Sequence, residues 1–163
     1  MKRTLSLLLA CALGLGLLSG CAQASAAKEL TAPKLSVTPS NSEEVNEALA
    51  SFGLELLQKT READRKPVLV SPLSVALALS MTANGAEGDT LAQFQEVLGG
   101  GVDLVELNGA CVRLIQDYQN LSGSTKCSIA NSLWVDPEGQ IRDDFIGKCR
   151  GIYDAQVFSA QLS

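Results

Sequence analysis

The side chains able to carry covalent or metal chemistry are few. The 163 residues include no histidine. That removes Ser–His and Cys–His nucleophile pairs, a histidine general base and histidine-ligated zinc. Cysteine occurs at Cys11, Cys21, Cys111, Cys127 and Cys149, with no Cys-x-x-Cys spacing. Neither a zinc site nor a thiol redox pair is expected from that pattern. Cys111, Cys127 and Cys149 fall on apolar faces and are expected as buried free thiols, in preference to one bridge with one thiol left over. Ser25-Ala26-Ala27-Lys28 has the Ser-x-x-Lys spacing of a lysine-activated serine nucleophile. It lies in a stretch rich in Ala, Ser, Thr and Pro, where nothing would hold the two side chains together, and its companion motifs are missing. Gly99-Gly100-Gly101 follows a helical pattern and has no Lys-Ser/Thr after it, so it is a loop and not a phosphate cradle. No catalytic residue, metal or cofactor is expected.

The elements that position these residues are legible in the spacing. Val45, Leu49, Phe52 and Leu56 recur every three or four residues and predict a helix over 43–63, capped by Ser42. Val68, Leu69 and Val70 predict a short buried strand. Ser71 then stands at an N-cap position and Pro72 at the first helical one, where its missing N–H costs nothing. Leu73 to Met81 is apolar or small nearly throughout, which predicts a central helix buried on most sides. Asn84 and Gly85 should end it, with Gly85 left-handed. Thr90 and Gln93 form a capping-box pattern opening a helix with Leu91, Phe94, Val97 and Leu98 inward. Another helix is expected over 103–119, with Leu104, Leu107, Cys111, Leu114, Ile115 and Tyr118 on its buried stripe. Residues 125–135 alternate as a strand, and Asp136-Pro137-Glu138-Gly139 is a turn. A last helix carries Phe145, Cys149 and Ile152, and a last strand runs over 156–162.

The first 20 residues read as a targeting segment. Lys2 and Arg3 give it a positive start, and Leu5 to Leu18 form an apolar stretch too short for a comfortable membrane span. Leu18-Ser19-Gly20-Cys21 resembles the lipobox of bacterial lipoproteins, which implies lipid on Cys21 as the mature N-terminus, export, and a membrane partner reached through that lipid. An ordinary secretory signal cut near Ala22–Ala24 is the plainer alternative. Residues 21–42 read as a flexible tether and 43–163 as the folded part. The formal charge is −5, and loss of Lys2 and Arg3 takes it to −7. Nucleic-acid binding, which needs a basic face, is not expected. Arg61, Arg65 and Lys66 are the one basic cluster, read as a solvated helix end.

The stretch 68–90 resembles the early segment of the serpin family: an apolar strand, Ser-Pro-x-Ser, an Ala/Leu-rich helix and a Gly-Ala-x-Gly-x-Thr turn. The matching residues are Ser71, Pro72 and Ser74, then Gly85, Ala86, Gly88 and Thr90. Lys66-Pro67 departs from the asparagine usual before that strand. A second block, with Asn131, Leu133 and Trp134, is similar to the family's Ala-Asn-x-Leu-aromatic strand, and Tyr153-x-Ala155 before the last strand keeps its order. The resemblance runs from about residue 43 to 163.

It implies an α+β fold, several helices around a buried central one with isolated strands of a large sheet. It further implies a suicide inhibitor of serine, sometimes cysteine, endopeptidases: a bait loop is cleaved, inserts as a strand, and distorts the protease. Ser71 and Ser74 would help hold the sheet closed at the start of the central helix. The reactive loop and its bait bond do not fall within these residues, so the chain reads as the N-terminal part of the fold and not inhibitory by itself. A target protease is a partner expected only of a full-length form. Some serpins bind sulfated polysaccharide through the helix matching 103–119. Here that helix carries Asp103, Glu106 and Asp117 against Arg113 alone, so no such partner is expected. Unpartnered, the strands would present open edges. The alternative is thus a short surface lipoprotein that binds a partner through those edges.

Overall fold

The computed structural model describes residues 27–63 and 67–161. The targeting segment, Cys21, Ser25, Arg65 and Lys66 lie outside them.

Helix α1 (Glu43–Ala63) begins where the spacing placed it. The Ser42 hydroxyl accepts from Val45 N at 3.4 Å, and Glu43 and Glu44 sit at the positive end of the helix dipole. Val45 is buried and Leu54 faces outward. The predicted strand at 68–70 is not formed, and Leu69 is fully exposed. A strand needs a neighbour for its N–H and C=O groups, and none among the described residues runs beside it. Helix α2 (Pro72–Ala83) follows, capped by Ser71 as expected. It buries Ala76, Leu77, Ser80, Met81 and Ala83, but Ser74, Ala78 and Thr82 form an exposed line along its opposite face. The central helix is therefore covered on one side only. It ends at Asn84 in right-handed conformation, and Gly85 is not left-handed as expected.

Helix α3 (Gly88–Gly99) starts two residues before Thr90, with Glu87 at the cap position and no capping side chain, so the Thr90–Gln93 box is not used. Leu98 is fully buried, whereas Val97 lies at the margin of the stripe and is half exposed. Gly100, left-handed at φ 65°, closes the helix. Helix α4 (Leu104–Gln119) is capped by Asp103, whose carboxylate accepts from Glu106 N at 2.9 Å. Its last turn is solvent-facing, and Tyr118 with it.

The strand expected over 125–135 is regular only as β2 (Ser132–Val135), although sides still alternate between half-buried and exposed back to Cys127. The turn forms, with Gly139 N donating to Asp136 O at 2.9 Å. Helix α5 (Asp143–Ile152) crosses over to β3 (Gln156–Ser159), which pairs parallel to β2. On its other side β3 pairs antiparallel with β1 (Lys28–Glu29). The sheet order is β1-β3-β2, so the strands are joined and β3 is enclosed on both sides. The α+β architecture is as expected.

The largest departure concerns residues 27–42, expected as part of a tether. They are fastened along α4, α5 and β3. Leu30 N donates to Val157 O at 2.8 Å, Leu35 N to Gly147 O at 3.0 Å and Ser40 N to Gly109 O at 3.1 Å. Arg150 donates to Ala32 O at 2.7 Å, and Ala32 joins the core. Such pairing follows from backbone geometry and leaves little hydrophobic period to read.

Candidate functional site

Ser71 and Ser74 are held together by the local chain. Ser71 has extended backbone (φ −106°, ψ 96°), which turns its side chain over the first turn of α2. Its Oγ accepts from Ser74 N at 3.4 Å, and the two hydroxyl oxygens are 2.8 Å apart. Pro72 fixes the entry without using up a donor. Both serines are exposed. Their hydroxyls therefore satisfy one another and retain capacity for a further hydrogen bond from a segment laid over this end of α2. Ala78 and Thr82 continue the same exposed face, with Thr82 Oγ1 returned to Ala78 O at 2.9 Å.

The turn residues lie at the other end of α2, about 16 Å along the helix axis from Ser74 at 1.5 Å per residue. Gly85, Ala86 and Thr90 line an open groove of about 780 Å³ with Phe94, Leu133 and Phe145. A Cβ at Gly85 would meet the Phe145 ring at 3.2 Å, so this position favours glycine for close approach. Gly88 is left-handed at φ 57°. The two sequence blocks thus meet, through Leu133 and Gly85, at one groove, while Ser71 and Ser74 stand apart from it.

Asn131 places the strand. Its Nδ2 donates to Tyr153 O at 2.8 Å, and its own carbonyl accepts from Gln156 N at 3.0 Å, which sets the β2–β3 register. Trp134 stacks on Phe158 across that pair, with centroids 4.7 Å apart, and stays about half exposed. The outer edge of β2 has no strand beside it among the described residues.

A buried polar cluster fastens this frame together. Tyr153 Oη donates to Asn108 Oδ1 at 2.6 Å, and Asn84 and Asn108 exchange two side-chain bonds at 2.9 Å each. All three are buried. Burial raises the Tyr153 phenol, and burial likewise raises the Cys111 thiol, with the Ser80 and Tyr153 hydroxyls offsetting the latter in part. Ser80 Oγ makes no hydrogen bond of ordinary geometry. Burial lifts Cys149 to about 11. Cys111 and Cys149 are buried free thiols, and Cys127 is free and half-buried. The cluster was not foreseen; its one signal was an asparagine within Leu107-Asn108-Gly109-Ala110, a stretch buried throughout. Among the described residues no group of His, Cys, Asp and Glu is placed to hold a metal ion. Among the described residues the arrangement supplies hydrogen-bonding surface and an unpaired strand edge at β2.

Residues 47–163 match the family model described as "Serpin (serine protease inhibitor)". The plasma serine protease inhibitor of Bos taurus is 34% identical over 99 residues, covering 59% of this chain and 24% of that protein. An uncharacterized serpin-like protein of Methanosarcina mazei is 27% identical, covering 96% of this chain and 38% of its own length. The native-state crystal structure of tengpin, a thermophilic serpin, superposes with a TM-score of 0.73 at 32% identity, covering 84% of this chain and 36% of tengpin. The chain thus spans well under half the length of these relatives.

Proposed function

The chain belongs to the serpin family, and from that premise we propose that it supplies the N-terminal frame of an inhibitor of serine, or cysteine, endopeptidases and does not act as a catalyst. The observation that carries this reading is the start of α2. Ser71 and Ser74 form a hydrogen-bonded pair on the face of the central helix that the rest of the described fold leaves open. In a full-length form that face lies where the sheet parts. The pair would hold the sheet closed until a cleaved loop enters as a new strand, which is the energy-releasing step of the family's cycle. Inhibition belongs to a form that carries the reactive loop, and the target protease is that form's partner.

The test is to read the gene through and beyond the codon for Ser163. If the frame continues, the longer product is purified and mixed with trypsin-like, chymotrypsin-like and elastase-like endopeptidases. A complex that survives boiling in detergent supports the proposal. Cleavage with full protease turnover and no such complex overturns it.

We propose in addition that lipid on Cys21 holds the protein on a bacterial membrane, facing the extracellular side or the periplasm, supported by Lys2, Arg3 and the apolar stretch before Cys21. Several acyl chains on one cysteine give firm anchoring, at about 0.8 kcal/mol per buried CH₂. Incorporation of labelled palmitate that disappears in Cys21→Ser is the expected result; labelling that persists contradicts it. The open outer edge of β2 favours a second reading, a surface lipoprotein that binds a partner strand. Co-purification of one stoichiometric partner from membranes in mild detergent is its expected result.

A further inference from the structure

Residues 28–40 lie in a cradle that only glycine permits. A Cβ on Gly147 would come within 2.5 Å of Pro33 O, and one on Gly109 within 2.6 Å of Ser40 Oγ and 2.8 Å of Thr38 O. At Gly151 the Cβ would overlap the backbone of Leu35 itself. These three glycines sit on α4 and α5, two helices that also contact one another. At two of them the chain makes a direct backbone bond to the glycine itself: Leu35 N donates to Gly147 O and Ser40 N to Gly109 O. Glycine inside a helix costs roughly 1 kcal/mol relative to alanine. Three such positions facing one segment are accounted for by that segment's close approach.

Upstream, the same segment becomes β1 and covers the edge of β3 that faces away from β2. Two cationic contacts hold its middle, Arg150 to Ala32 O at 2.7 Å and Lys34 to Asp154 at 3.2 Å. The second is exposed on both sides and contributes little. Residues 28–40 lie wholly ahead of the stretch 47–163 that matches the family model.

We propose that residues 28–40 are an intramolecular strap, a conformational device that closes the β3 edge and binds α4 and α5 to the sheet. When it is seated, β3 has no free backbone groups to offer on that side. When it is released, the edge becomes a template for pairing with a second copy. The strap works independently of the lipid on Cys21 and of protease inhibition.

The experiment uses the full chain and trypsin. Lys34 lies within the strap, immediately before the bonded Leu35 amide; Lys126 lies in an exposed, irregular stretch and serves as the internal reference. In the unaltered chain, cleavage after Lys34 is expected to be at least tenfold slower than after Lys126. Gly151→Ala should bring the two rates together and raise the particle mass seen by light scattering. Should Gly151→Ala fail to fold, Leu30→Pro deletes the amide that donates to Val157 O without adding bulk to any helix, and the same changes are expected. Cleavage after Lys34 as fast as after Lys126 in the unaltered chain overturns the proposal. So does a folded variant whose strap is cut rapidly while its mass stays unchanged.

Discussion

The two margins of the sheet are built in opposite ways. On one side β3 is covered by β1, and the chain leading from it is pressed into glycine gaps on α4 and α5. Backbone donors there end on backbone acceptors. On the other side β2 has no strand beside it among the described residues, Leu69 is wholly exposed, and α2 shows Ser74, Ala78 and Thr82 to solvent. A helix so apolar in composition is normally enclosed. The difference teaches that, among the described residues, the frame is closed where it binds its own N-terminal segment and open along β2 and the outer face of α2.

The largest effect is expected at the joint between these margins. Asn108→Ala removes the acceptor of Tyr153 Oη and both bonds to Asn84. Each buried group so stranded costs roughly 1–3 kcal/mol. A fall of about 3 kcal/mol or more in denaturant unfolding is the expected result; a fall below 1 kcal/mol would mean the two margins are not joined there.

The closed side should also lose stability in alkali. Cys149 titrates at about 11 when folded, against an ordinary 9.0. The folded state therefore keeps its proton while the unfolded state releases it. Stability is full below pH 9 and falls as pH rises towards 11, by on the order of 2–3 kcal/mol. Cys149→Ala should remove that share of the slope and leave the part owed to Cys111 and Tyr153, which burial also raises; melts at graded pH would check this. On the open side, Ser71→Ala deletes the cap and the partner of Ser74; about 1 kcal/mol is expected from thermal unfolding. The smallest change is Ala78→Glu, which adds charge to the exposed face of α2. An effect within about 0.5 kcal/mol is expected if that face is free in the isolated chain. A large loss, seen in the same melts, would show that something covers it.

The legibility of the fold follows the same division. Helices α1, α2, α4 and α5 are legible because their apolar patterns are local, as are the caps Ser42 and Ser71; the Asp103 cap of α4 was not read. The strand at 68–70 failed because three apolar residues carry no information about whether a neighbour is present. The strap was misread as a tether because its fastening is backbone to backbone, and its signal sits in the sequence elsewhere, at Gly109, Gly147 and Gly151. At the candidate site, the serine pair was legible from Ser-Pro-x-Ser. The Asn84–Asn108–Tyr153 cluster was not, since it joins residues far apart in the chain.

The most direct test of the asymmetry is amide hydrogen exchange on the full chain, followed by peptide mass. Residues 28–40 and 156–159 should exchange slowly, because Leu30, Leu35 and Ser40 donate to structured carbonyls and β3 is paired on both sides. Residues 67–71 should exchange at nearly the rate of an unstructured peptide. Fast exchange across 28–40, or strong protection at 67–71, would contradict the account.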